Sequence, residues 1–181
     1  IHFKVLPGTN RSLIRQASEY SDRMSINLES PNSSRLKEIS EVKDLKVDIL
    51  RRQSWLKRSN LPAGQTTQMV VGGAEESDKE ILKMVDWEYE NLSLRRAYFS
   101  AFIPVKDTPL EHRDEVPLSR EHRLYNVDFM MRKYGIGLKD FYDIMEDDML
   151  PKEDPKLAIA REYFDRPLDV NHASFEDLIR V

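Results

Sequence analysis

The stretch Thr67-Gln68-Met69-Val70-Val71-Gly72-Gly73-Ala74-Glu75-Glu76-Ser77-Asp78-Lys79-Glu80 decides the fold. Its opening is a short β-branched and apolar run that stops at a glycine pair, which predicts a buried strand over 67–71. A helix is predicted immediately afterwards. Ser77 and Glu80 have the spacing at which a hydroxyl and a carboxylate satisfy two orphan amides reciprocally. Ile81, Leu82, Val85 and Tyr89 then form one apolar stripe. A strand running straight into a helix is the repeating unit of a parallel sheet.

The same grammar extends to both sides. Residues 2–6 alternate and end at Pro7-Gly8, and Asn10 caps a helix with Leu13, Ala17 and Tyr20 on its apolar face. Residues 22–28 alternate again, with Met24, Ile26 and Leu28 on one face. A polar connection over 30–64 holds helices near 33–42 and 46–58 and closes in the loop Leu61-Pro62-Ala63-Gly64. Ala97–Val105 is the fourth strand, fraying at Pro104. The order β-α-β-α-β-α-β, with right-handed crossovers, predicts an α/β fold: a partial TIM-like (βα) barrel with parallel strands. After residue 106 only helices follow. Asp107–Pro117 is a loop, and Ser119 caps a helix carrying Leu124, Val127, Met131 and Tyr134. Shorter helices lie near 138–146 and 155–164, and a last one starts near Phe175. The expected organisation is a half-barrel over 1–106, a helical extension over 107–166 and a terminal segment over 167–181.

Composition narrows the class. The chain has 181 residues, 40% hydrophobic and 33% charged, with a net charge of −4, a globular balance too apolar for wholesale disorder. No apolar run approaches the roughly 20 residues of a membrane span, and no leader is evident, so a cytoplasmic protein without a membrane partner is expected. The absence of cysteine excludes disulfides, a thiol nucleophile and any iron–sulfur or cysteine–zinc site made by this chain alone. A parallel strand at residues 2–6 leaves an apolar edge. The expectation is that a preceding half of the same protein, or self-association, covers it.

Ligands of parallel α/β folds sit at the carboxyl ends of the strands. Gly72-Gly73 there reads either as a tight turn or as a close backbone approach to a ligand at a helix amino terminus. Ser25, Asn27 and Glu29 form a polar row, suited to a ribose or an amino-acid group or else simply facing solvent or a barrel centre. His2, His112, His122 and His172 lack zinc-ligand spacing, and Glu146-Asp147-Asp148 lacks calcium-loop periodicity. Arg120 and Arg123 share a helix face, fit either to clamp an anion or to pair with nearby acids. Two further readings stay open. One is a metal-independent TIM-like enzyme with Glu29 and Glu76 as acid and base. The other is a non-enzymatic nucleic-acid interaction domain using Arg51, Arg52, Lys57 and Arg58.

Several separated motifs carry a resemblance. Phe3-Lys4-Val5-Leu6-Pro7-Gly8, Ser25-Ile26-Asn27-Leu28-Glu29, Pro62–Gly72, Tyr98–Val105 and Arg120-Glu121-His122-Arg123-Leu124-Tyr125 occur in the order found in one family. The chain resembles the second half of the barrel in the putative DNA modification/repair radical SAM (S-adenosylmethionine) proteins. Asp169–Ile179 is similar to the first helix of that family's helix-hairpin-helix module. The resemblance implies a parent enzyme that uses a [4Fe–4S] cluster and S-adenosylmethionine to generate a 5′-deoxyadenosyl radical, with DNA or RNA as a partner. The cluster's C-x3-C-x2-C loop would lie upstream, so these residues alone are expected to be inactive. It further implies that Ser25, Asn27, Glu29, Gly72, Gly73 and Glu76 contact the cofactor. The adenosine pattern is matched in part, by Val71-x-Gly73-x-x-Glu76 or Val70-x-Gly72-x-x-Glu75, without its leading glycine.

Overall fold

The computed structural model describes residues 1–181. Four strands, β1 (His2–Lys4), β2 (Arg23–Ser25), β3 (Gln65–Val71) and β4 (Leu94–Ala101), form one sheet in the order β1-β2-β3-β4. Every neighbouring pair is parallel, as the strand–helix alternation predicts. The alternation therefore gave the correct class, an α/β fold with a parallel sheet.

The strand limits differ from the sequence reading for identifiable reasons. The β1–β2 ladder pairs only His2, Phe3 and Lys4, although Val5 still donates to the Ser25 carbonyl at 2.7 Å. The ladder between β2 and β3 covers Met24 and Ser25, not residues 22–28. Beyond it the Thr67 hydroxyl replaces ladder bonds, donating to the Ile26 carbonyl at 2.9 Å and accepting from the Leu28 amide at 3.0 Å. Ile26 and Leu28 stay fully buried without regular pairing. Strand β4 begins at Leu94, earlier than its apolar run, because Arg96 pairs with Thr66 in the ladder.

Eight α-helices follow the strands: α1 (Arg11–Ser18), α2 (Ser33–Ile39), α3 (Arg51–Lys57), α4 (Asp78–Leu92), α5 (Leu118–Phe129), α6 (Leu138–Asp143), α7 (Pro155–Tyr163) and α8 (Phe175–Arg180). The Asn10 side chain caps α1, accepting from the Leu13 amide at 3.0 Å. Asn32 caps α2 in the same way. A π-helical turn over Leu45–Leu50 runs into α3, so the single helix expected over 46–58 has two parts. No helix is long and apolar enough to cross a membrane.

The chain divides into two compact units. The first comprises Ile1–Glu76 and Glu80–Val116, the second Ser77–Lys79 and Pro117–Val181. The division falls at Val116 and not at residue 106 because the intervening loop bonds back to the first unit. Val116 donates to the Phe102 carbonyl at 3.0 Å, and Arg113 to the Gly73 carbonyl. The core of the first unit is built from Met24, Ile26, Leu28, Met69, Val71, Ile81, Leu82 and Val85, all fully buried.

In the second unit, buried Leu124, Val127 and Met130 form the inner face of α5 and its extension. The predicted stripe through Met131 and Tyr134 is displaced by a π-helical turn over Met130–Tyr134, which ends at Gly135 with φ of 70°. Pro117, not Ser119, stands at the start of α5. The Asp140 carboxylate accepts from the Tyr163 hydroxyl at 2.7 Å and the Arg180 Nε at 3.1 Å, so it ties α6, α7 and α8 together.

Candidate functional site

The carboxyl ends of β3 and β4, with the segment that follows β2, enclose a cleft of ≈ 470 Å³ in the first unit. Val70, Phe102, Ile39 and Leu110 give it apolar walls, Ser40 and Ser100 contribute hydroxyls, and Glu29 and Lys43 stand on its rim. The Lys43 Nζ meets the Glu29 Oε1 at 3.2 Å, with both side chains partly exposed.

Glu29 reaches the rim through an unusual backbone. Its φ is 66°, a left-handed conformation that costs a non-glycine residue roughly 1 kcal/mol or more. The surrounding ladder holds it there. Its amide donates to the Gln68 carbonyl at 3.0 Å and its carbonyl accepts from the Val70 amide at 2.9 Å. The regular register between β2 and β3 ends before Glu29, which bridges Met69. Ser25 lies within β2 and bonds the His2 Nε2 at 2.8 Å. Asn27 is half-buried between Ile26 and Leu28, and only Glu29 of the three lines the cleft.

The glycine turn is built differently from a bare amide cradle. Gly72 has φ of 82°, which glycine adopts without strain. The Glu76 carboxylate, almost entirely buried, accepts from the Gly72 amide and from the Ala74 amide at 3.0 Å. The turn's own side chain thus fills the place that sequence reasoning offered to a ligand anion. Arg35 donates to the Ala74 carbonyl at 3.0 Å and pairs with Glu80 at 3.1 Å, while Arg113 holds the Gly73 carbonyl and reaches Glu38 at 3.2 Å. Gly73 lies behind the cleft wall. A Cβ placed on it would meet Val70 Cγ1 at 3.2 Å, Phe102 Cδ2 at 3.5 Å and Ile39 Cγ2 at 3.6 Å.

Of the six residues singled out from sequence, only Glu29 lines the cleft, and Gly73 lies behind its wall. Gly72 and Glu76 shape its supporting turn, and Ser25 and Asn27 do not line it. Lys43, Ser40, Ser100 and Arg113 were missed. Nothing in a polar connection marks Lys43 as the partner of a residue fourteen positions earlier.

In the basic helix, Arg52 and Lys57 are engaged within the chain, while Arg51 and Arg58 are exposed. Arg52 is buried, donates to the Thr9 carbonyl at 2.8 Å and to the Val47 carbonyl, and lies 5.4 Å from the Trp55 ring centre. Lys57 donates to the Asn91 carbonyl at 2.8 Å. In the second unit, Arg120 pairs with fully buried Asp78 at 2.8 Å, so it serves an acid of its own chain. Asp147 and Asp148, both at positive φ, form the tip of a tight turn closed by Glu146 and Met149.

No protein-family model matches the chain, and no curated protein or solved structure is significantly similar to it.

Proposed function

We propose that the chain is the carboxy-terminal part of a radical S-adenosylmethionine enzyme and that the cleft at Glu29 forms part of its cofactor wall. One observation carries this reading. A rim ion pair, two hydroxyls and an apolar floor meet at the carboxyl ends of neighbouring parallel strands, the place where such folds bind ligands. S-adenosylmethionine has a matching chemistry, with a zwitterionic head and a ring that seeks apolar contact. Glu29 would take its ammonium and Lys43 its carboxylate, while Ser40 and Ser100 offer hydroxyls to ribose oxygens. Glu76, Arg35 and Arg113 act behind the wall by fixing the glycine turn.

The iron–sulfur cluster finds no ligands here. The chain lacks cysteine, and no three His, Asp or Glu side chains converge as a metal site. The cluster would be held by another part of the parent protein. What these residues supply is binding, orientation and exclusion of water. A nucleic-acid substrate belongs to the same proposal. Its support is the similarity of Asp169–Ile179 to the first helix of a helix-hairpin-helix module, a segment that contains most of the Ser174-capped helix α8.

The acid–base reading with Glu29 and Glu76 has less support, since the Glu76 carboxylate is almost entirely buried and accepts from two amides of its own turn. The test is anaerobic iron–sulfur reconstitution of the full-length gene product, followed by assay for 5′-deoxyadenosine and titration with S-adenosylmethionine. Glu29→Gln should weaken cofactor binding about tenfold, the loss of one charge-assisted contact, with iron and sulfide content unchanged. A full-length product without C-x3-C-x2-C, or one forming no 5′-deoxyadenosine, removes the reading.

A further inference from the structure

The four strands contain the cations Lys4, Arg23, Arg95 and Arg96, and no acid at all, in a chain whose acids outnumber its bases by 32 to 28. Register places most of this charge on one face. Lys4 pairs with Ser25, Ser25 with Thr66 and Thr66 with Arg96, so these four form a single row across the sheet. His2 and Arg23 are paired in the row beside it. The opposite face is the packed one, carrying Met24, Met69, Val71, Ala97 and Phe99. His2, Lys4 and Arg96 are exposed, whereas Ser25 and Thr66 are buried at the floor of the row.

A parallel sheet normally has both faces covered. Here one face presents cations around buried hydroxyls. The Nε of Arg23 is shut off from solvent and has no acceptor. A shielded guanidinium donor without a partner is rare and calls for an occupant.

We propose that this face binds a phosphate group between β1 and β2, with Lys4 and Arg23 as its cations and His2 and the Ser25 hydroxyl completing the donor set. The guanidinium fork, the ammonium and the hydroxyl together offer more donors than the two oxygens of a carboxylate use, and they match the oxygens of phosphate. Arg96, 4.9 Å from the Tyr98 ring centre on the same face, extends the surface towards a second phosphate or a base. None of His2, Lys4, Arg23 and Ser25 lines the cleft at Glu29, and the site does not depend on the assignment made there.

The test follows the arginine Nε–H signals of the chain by NMR during titration with inorganic phosphate, with sodium acetate at equal ionic strength as control. A saturable shift of the Arg23 signal with phosphate, and a much weaker one with acetate, is expected. Arg23→Gln, and separately the exposed Lys4→Gln, should each weaken phosphate binding about tenfold, while Glu29→Gln leaves it unchanged. Far-UV circular dichroism checks that each variant is folded. Adenosine 5′-monophosphate and the oligonucleotide dT5 distinguish a free nucleotide from a strand as the source of the phosphate. Absence of a saturable shift in the unaltered chain overturns the proposal. So does equal affinity for acetate, which would point to an acidic protein segment, or phosphate binding that survives both substitutions.

Discussion

The Nε2 of Gln53 donates to the Oε1 of Glu88 at 2.6 Å, and neither residue exposes any surface. This bond joins α3 to α4. It leaves Gln53 Oε1 and Glu88 Oε2 shielded without partners. Burial pushes the Glu88 carboxyl up to about 8, against a smaller downward pull from the Gln53 hydrogen bond. The folded state therefore holds a proton that the unfolded chain releases near 4.5. Stability contributed by the neutral form is complete below 4.5, falls as pH rises towards 8 and levels off above it. The loss is on the order of a few kcal/mol. Glu88→Gln cannot ionise, so its urea midpoint should fall less than that of the unaltered chain between pH 5 and pH 8.5. Parallel losses in the two proteins would show that Glu88 does not control this dependence.

The Glu76 carboxylate should matter more to the fold than to ligand chemistry. Removing it strands the Gly72 and Ala74 amides, at a cost of about 1–3 kcal/mol for an unsatisfied buried donor. Glu76→Ala is therefore expected to lower the thermal midpoint measurably. Glu76→Gln keeps one acceptor oxygen and should recover part of the loss. A thermal midpoint untouched by Glu76→Ala would mean that the amides find other acceptors and that the carboxylate is not the organiser of this turn.

Strand and helix periods were legible because they depend on neighbours close in sequence. Met69, Val71, Ile81, Leu82 and Val85 are buried as their spacing predicts. The site was less legible because its decisive contacts are long-range. Arg113 meets Gly73 across forty positions, and Arg35 reaches Ala74 across thirty-nine. The positive φ at Glu29 was not legible either, since no residue pattern announces a left-handed glutamate. The π-helical turn at Met130 shifts the apolar stripe of its helix for a similar reason: one bond register changes and every later side chain rotates.

Gly73 tests the cleft from behind. The contact at 3.2 Å to Val70 Cγ1 is tighter than a comfortable methyl contact, and Phe102 and Ile39 close the other sides. Gly73→Ala requires a shift of a few tenths of an ångström. Gly73→Val adds bulk that must displace Val70 or Phe102, at roughly 1–3 kcal/mol of overpacking. Both displaced residues line the cleft, so ligand affinity should fall together with the thermal midpoint. Thermal scans and cofactor titrations on both variants check this. A Val variant with normal stability and reduced affinity would instead put Gly73 in direct contact with the ligand.

Tyr163 offers a readout of the second unit that does not depend on any ligand. Its hydroxyl donates to Asp140, and this bond, with smaller contributions from desolvation and from the charges of Asp140 and Asp143, pushes its ionisation up to about 12 from the ordinary 10. The same carboxylate holds Arg180 of α8, whose guanidinium lies 5.0 Å from the Tyr163 ring centre. The chain has seven tyrosines, so the signal is isolated by difference. Subtracting the ultraviolet pH titration of Tyr163→Phe from that of the unaltered chain should leave one phenol ionising near 12. Asp140→Asn removes the charge and the strong acceptor, so the same difference should move down towards 10. Hydrogen exchange in α8 should then accelerate, because Arg180 loses its anchor. A phenol that ionises near 10 in the unaltered chain would show that the Asp140 contact does not persist in solution.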